Sequence, residues 1–160
     1  MSDSPFHVTR RRLVPAPPAA VFGLLADPAM HPVIDGSGTV RATRGGAPER
    51  LGPGAEFGMD MRLGVPYRIS NRVVEFEEGR LIAWRHFSGH RWRYELEPAE
   101  GGTLVRETWD ASRLKHKWLL RVLGFTRTTP RNMERTLERL AAHFADGRGD
   151  ADDAGSSPGA

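Results

Sequence analysis

The sequence contains no cysteine. Disulfides, thiolate nucleophiles and Cys-ligated zinc or iron–sulfur sites are therefore excluded, and the protein carries no thiol redox chemistry of its own. It has no run approaching the ~20 apolar residues of a membrane-spanning helix, and no apolar stretch of signal-peptide type near its start. The expected location is cytoplasmic, with no membrane span. Metal-ligand spacing is missing too. The histidines His7, His31, His86, His90, His116 and His143 form no H-E-x-x-H pair, and His86 and His90, in strand and turn, lack the shared face a helix would give them. No metal site and no cofactor are expected. Gly45, Gly46, Gly52 and Gly54 fit neither the phosphate-binding loop nor the dinucleotide fingerprint, so they read as loop glycines and imply no nucleotide.

What is present fits one domain. A chain of 160 residues can bury a core without metal or disulfide help. The net charge of +3 is uneven: from Asp146 onward four acids face one base, leaving −3 on that segment and +6 on residues 1–145. Residues 146–160 are Gly, Ala, Asp and Ser with little to bury, and are expected to be a disordered tail behind a domain spanning 1–145. A basic body steers anionic ligands or simply presents a solvated surface.

Periodicity sets the order of elements. Phe6–Val14 reads as a strand, partly exposed because of Arg10, Arg11 and Arg12. Pro15, Pro17 and Pro18 end it and open a helix over Ala19–Ala26. Met30–Gly38 reads as a loop around a helical turn, and Thr39–Arg44 as a strand. Glu56–Leu63 alternates strictly, with Phe57, Met59, Met61 and Leu63 on one side. Gly64-Val65-Pro66 then turns the chain into Tyr67–Glu77. There Tyr67 and Ile69 have the opposite parity to Val74 and Phe76, which requires a bulge near Asn71–Val73. Arg80–Phe87, His90–Pro98 and Thr103–Asp110 complete a hairpin-linked series. Ser112 is expected to cap a helix reaching Phe125. Pro130 is expected to open a final helix to Ala145 whose Met133, Leu137, Leu140, Ala141 and Phe144 make one apolar stripe.

The segments APPAAVFGLLADP, RLIAWRH and RYELEPAEGGTLVRETWD, in this order of elements, resemble the polyketide cyclase/dehydrase and lipid-transport superfamily, also called SRPBCC or START-like. The similarity runs from about Phe6 to Phe144. It implies an α+β helix-grip fold, a curved antiparallel sheet of six to seven strands around a long C-terminal helix. It also implies a cavity between them for lipids, sterols, polyketides or other hydrophobic compounds. Members include carriers, sensors and aromatase/cyclase enzymes, and no family catalytic signature carries over to residues here.

The inward parities name the expected ligand contacts: Phe57, Met59, Met61, Tyr67, Ile69, Asn71, Trp84, Trp92, Tyr94, Trp109, Met133 and Leu137. These positions suit either a pocket wall or plain core. Glu107 shares its side with Val105 and Trp109, so it is either a buried carboxylate needing a partner or a proton, or a group rotated into water. With Asn71 and Tyr94 it is the best polar set for orienting a ligand. His86, in parity with Trp84, is a second proton-transfer candidate, or else a solvated histidine at a strand end. The run HRWRYE places arginines and aromatics on opposite faces, so it offers no stacking platform and no nucleic acid is expected. Three readings follow: a carrier or sensor of a hydrophobic small molecule, an aromatase/cyclase-type enzyme if Glu107, Tyr94 and His86 converge, and a protein-interaction module. Each admits a homodimer.

Overall fold

The computed structural model describes residues 4–153. One antiparallel sheet, curled into a half-barrel, has seven strands: β1 (His7–Val14), β2 (Val40–Thr43), β3 (Glu56–Leu63), β4 (Val65–Glu77), β5 (Leu81–His86), β6 (Arg91–Ala99) and β7 (Gly102–Asp110). Their order is β1-β7-β6-β5-β4-β3-β2, so each strand from β3 to β7 pairs with its predecessor and β1 closes against β7. The helices are α1 (Pro18–Leu25), α2 (His31–Ile34), α3 (Lys117–Val122) and α4 (Phe125–Asp153). Sheet and long C-terminal helix make the expected helix-grip arrangement.

Alternation in the strands becomes rows across the sheet. One inner row is Val73, Trp84, Trp92, Trp109 and Val8; the next is Phe76, Ile82, Tyr94, Glu107 and Arg10. The outer face is polar, where Arg93 Nε donates to Glu75 Oε2 at 3.1 Å. The parity conflict in β4 is resolved one residue later than expected: the register shifts between Val73 and Glu75. Asn71 and Val73 therefore point inward, Val74 is pushed out, and Phe76 returns to the inside. The β3–β4 connection is tighter than the expected three-residue turn. Gly64 alone, at φ +75°, links the paired Leu63 and Val65.

The helices differ more from expectation. α1 places Val21, Phe22, Leu24 and Leu25 in the core, with Pro18 in its first turn. The helix expected from Ser112 to Phe125 is only α3, preceded by His116; Ser112 instead folds back, its N–H and hydroxyl donating to Asp110 Oδ1. Pro130 does not open α4 but lies inside it. Its ring suits helical φ, and the missing N–H forgoes only the bond to the Thr126 carbonyl near the helix start. α4 also continues past Ala145 to Asp153, so the segment expected to be a disordered tail begins as helix; 154–160 lie outside the described residues. No helix among the described residues is long and apolar enough to cross a membrane.

Two clusters form the interior. The larger joins α1, Ile34, Phe57, Met59, Val73, Ile82, Trp84, Tyr94, Leu96 and Val105 with Leu137 and Leu140 of α4. The smaller lies at the β1–β7 edge and contains Val8, Trp109, Ala111 and Met133. α4 is tied to β1 by Arg10 Nε–Glu134 Oε1 at 2.9 Å and Arg12 Nη1–Glu138 Oε1 at 3.7 Å. It is also seated against the loop after α2. A Cβ on Gly36 would lie 2.3 Å from the Asn132 carbonyl and 2.5 Å from the Thr136 nitrogen. Gly36 N–H donates to Thr136 Oγ1 at 2.9 Å, and Arg139 donates to the Asp35 carbonyl.

Candidate functional site

The centre of the inner face holds one buried carboxyl. Glu107, on β7, is 1% exposed. Tyr94, its cross-strand partner on β6, donates its hydroxyl to Glu107 Oε1 at 2.8 Å. Glu107 Oε2 is the buried side-chain nitrogen or oxygen that lacks a hydrogen-bond partner among the described residues. Desolvation pushes the Glu107 pKa up from 4.5 to about 8; the Tyr94 bond acts against this and the charge of Asp35 adds to it. At pH 7 Glu107 is therefore the neutral acid, and its proton belongs on the oxygen with no acceptor. Burial, then Glu107, hold Tyr94 well above its ordinary value, so it remains a donor. Arg10 stands opposite Glu107 in the register, but its guanidinium is engaged by Glu134 and by the Thr9 carbonyl, to which Nη1 donates at 2.8 Å.

Around this pair the interior is aromatic. Trp84 lies 5.4 Å from Tyr94, 5.7 Å from Phe57 and 4.9 Å, stacked, from His31, measured between ring centroids. His31 is buried and its pKa is lowered by desolvation, so it is a neutral ring. Its Nε2 lies 2.9 Å from the Leu25 carbonyl, which can only accept, so Nε2 carries the proton and Nδ1 is left as an acceptor. Asp35, at the end of α2, accepts from Ser37 N, Ser37 Oγ and Val40 N, and its charge reaches Tyr67, Tyr94 and Glu107. Neither His31 nor Asp35 stood out in the sequence. The three-residue step from buried His31 to buried Ile34 on α2 is the signal that was available for His31.

The expected contacts divide into groups. Phe57, Met59, Trp84, Tyr94 and Leu137 are buried in the main cluster, with Met61, Ile69 and Trp92 half-buried against it. Trp109 and Met133 belong to the edge cluster. Tyr67 is exposed, and with Met61 it lines an open groove of about 650 Å³ bounded by Arg41, Asp60, Arg62, Pro66 and Arg68. Asn71 is buried but pairs with His86, four residues along β5 from the Ile82–Tyr94–Glu107 row, a separation of ~13 Å at strand rise. The expected polar set therefore keeps Tyr94 and Glu107 together and leaves Asn71 and His86 elsewhere. His86 stacks on His90 at 4.4 Å, and Ser88 Oγ lies 2.7 Å and 3.1 Å from their Nδ1 atoms. Desolvation lowers His86 to about 4, and desolvation with the neighbouring His86 lowers His90 to about 3. Among the described residues no cluster of His, Asp or Glu could hold a metal ion.

Comparison with known proteins places this geometry. The family described as "Polyketide cyclase / dehydrase and lipid transport" matches residues 5–145. The uncharacterized protein Rv0088 of Mycobacterium tuberculosis is 39% identical over 150 residues, covering 90% of this chain and 66% of its own length. The chain thus spans slightly under two thirds of that relative. Among solved structures, protein NE0264 from Nitrosomonas europaea aligns with a TM-score of 0.69 at 16% identity, covering 92% of this chain and 99% of that one. An AHSA1-like protein from Aeromonas hydrophila aligns with a TM-score of 0.61 at 16% identity, covering 86% and 93%. These structures share the fold.

Proposed function

Because the chain belongs to the polyketide cyclase/dehydrase and lipid transport family, we propose that it binds an apolar small molecule bearing a carbonyl or hydroxyl oxygen, as a carrier or sensor, between the sheet and its helices. The observation that carries this reading is the buried carboxyl of Glu107, anchored by Tyr94 through Oε1 and unpartnered at Oε2: held neutral by burial, it offers Oε2–H to an interior lined by Phe57, Met59, Trp84 and Leu137. A lone donor on an apolar wall orients an oxygen-bearing ligand without the cost of burying a charge. The groove at Met61 and Tyr67, whose Met61 packs against the main cluster, is the proposed approach from solvent.

Titration with a neutral, ketone-bearing naphthalene fluorophore tests it. Binding is expected near pH 6.5 and should weaken as pH rises through about 8, where Glu107 ionises. Glu107→Gln should keep binding and lose that pH dependence, because the amide is a donor at every pH. Glu107→Leu should bind up to ~10-fold more weakly, the value of one neutral hydrogen bond. Equal binding by all three proteins at all pH values refutes the assignment. A second reading, an aromatase/cyclase-type enzyme, draws on the same Tyr94–Glu107 bond, since an acid held at a pKa near 8 is matched to protonating a ketone oxygen during enolisation. Turnover of a polyketide-like substrate that disappears in Glu107→Gln and Tyr94→Phe while binding persists would favour the enzyme.

A further inference from the structure

The two ends of the sheet differ in chemistry. The β3–β4 and β5–β6 connections, the end of β7 and the start of β1 lie at one end; the β4–β5 and β6–β7 turns and the end of β1 lie at the other. α3 belongs to the first end. Lys117 Nζ stands 5.5 Å over the Phe6 ring, Leu114 and Leu120 pack against the edge cluster, and a Cβ on Gly89 would come within 2.8 Å of Leu114.

Eight of the eleven exposed large apolar residues among those described sit on these first-end elements: Leu63, Val65 and Tyr67 on the β3–β4 hairpin, Phe87 beyond β5, and Trp118, Leu119, Val122 and Leu123 on or just after α3. Trp118 is 60% exposed, Val122 72% and Phe87 70%. Trp118 with Val122 and Leu119 with Leu123 are spaced four apart, so they form one stripe, while Leu120 turns toward the body. The charge around this stripe has one sign. From Ala111 to Met133 there is no Asp or Glu, and Arg113, Lys115, Lys117, Arg121, Arg127 and Arg131 are all cations; among the described residues none of them forms a salt bridge. Of the acids nearest this end, Asp60 pairs with Arg68 at 3.5 Å, and Asp110 accepts from Ser112 and feels the charge of Arg113. The opposite turns carry Glu77, Glu78, Glu97 and Glu100.

We propose that this end of the molecule docks on an anionic lipid bilayer, with the Trp118–Leu123 stripe lying among the headgroups and the flanking Lys and Arg side chains reaching phosphates. An apolar stripe edged by cations, with a tryptophan at its margin, has the pattern of an interfacial helix. A second copy of this chain would bring the same cations face to face across a two-fold axis, which disfavours self-association as the cover. The proposal is independent of any ligand in the interior. It also sets the Met61–Tyr67 groove, at the same end, toward the membrane.

Co-sedimentation of the full chain with vesicles tests it. Vesicles of equal parts phosphatidylcholine and phosphatidylglycerol should bind the protein, with affinity falling as salt rises, and phosphatidylcholine alone should bind at least ~10-fold more weakly. Trp118→Ser combined with Val122→Ser, and separately Lys115→Glu combined with Arg121→Glu, should each reduce binding at least ~10-fold. Leu13→Ser, at the opposite end, should leave it unchanged. A blue shift of emission on vesicle addition should vanish in Trp118→Phe, which retains binding. Undiminished binding by the Trp118/Val122 variant, or no binding of the wild type to anionic vesicles at low salt, overturns the proposal. So does a dimer in light scattering that the same variant dissolves, which would assign the stripe to a second copy.

Discussion

Replacing Glu107 by Gln should change how stability depends on pH more than it changes stability at any one pH. In the folded protein the carboxyl titrates near 8, against 4.5 when solvated. Between these values the unfolded chain has released a proton that the folded chain still holds, so raising the pH favours unfolding. A raised folded pKa thus leaves stability intact below about 4.5 and erodes it as pH climbs to about 8. Each pH unit costs about 1.4 kcal/mol, so by pH 7 the wild type has lost about 3 kcal/mol, and by pH 8, where the folded carboxyl is half ionised, about 4 kcal/mol. The glutamine does not ionise. Its Oε1 still accepts from Tyr94, while its amide places two N–H donors where the acid has one unpartnered O–H, at an added cost of about 1–3 kcal/mol that does not vary with pH. The Glu107→Gln protein should therefore be the less stable of the two near pH 4.5 and should draw level and overtake as pH rises. Urea unfolding of both proteins at intervals from pH 4.5 to 9 measures the difference directly. Curves that stay parallel across this range would show that Glu107 is ionised in the fold or open to water, and the proposed proton donor would be lost with it.

Other substitutions probe the frame around the pair. Gly36→Ala should destabilise by about 3 kcal/mol or more, because its Cβ would meet backbone atoms of α4 at 2.3–2.5 Å; thermal unfolding would show it. Phe22→Ala removes a fully buried ring set edge-on at 5.4 Å to Phe76 and should cost about 3–5 kcal/mol in a urea titration. His86 and His90 are held neutral by burial, so stability present above about pH 6.5 should be lost as pH falls toward 4 and 3. His90→Phe should move the midpoint of acid unfolding, followed by tryptophan emission, to lower pH.

Local patterns reached the parts of the fold that local patterns control. Strict alternation in Glu56–Leu63 and around Trp92–Tyr94–Leu96 located β3 and β6 and named their inward faces. Parity also placed Glu107 beside Val105 and Trp109, and of the two outcomes this left open, burial is the one the fold adopts. What escaped depends on contacts between distant segments. The division of Trp109 and Met133 from the main core follows from where α4 crosses the β1–β7 edge, which no periodicity encodes. His31 opens and Asp35 follows a helix of a single turn, too short to show a period, and they acquire their neighbours only when α2 settles over the sheet. The stretch before α4 looked like another core helix because Trp118, Leu119 and Val122 are spaced like one. An apolar stripe has the same spacing whether it faces a core or the surroundings.

The seam at Gly36 makes α4 and the loop carrying Asp35 a single mechanical body. Its outer flank is bolted to β1 through Glu134 and Glu138, and its inner flank to the loop through Thr136 and Arg139. Lifting the helix together with its loop would break both ion pairs to β1 and withdraw Asp35 from the interior in the same stroke. The β3–β4 hairpin turns at one glycine and bears exposed Leu63 and Val65 at its tip. In the proposed carrier the helix is thus a fixed wall, whose displacement would register as a change of charge beside the Tyr94–Glu107 pair.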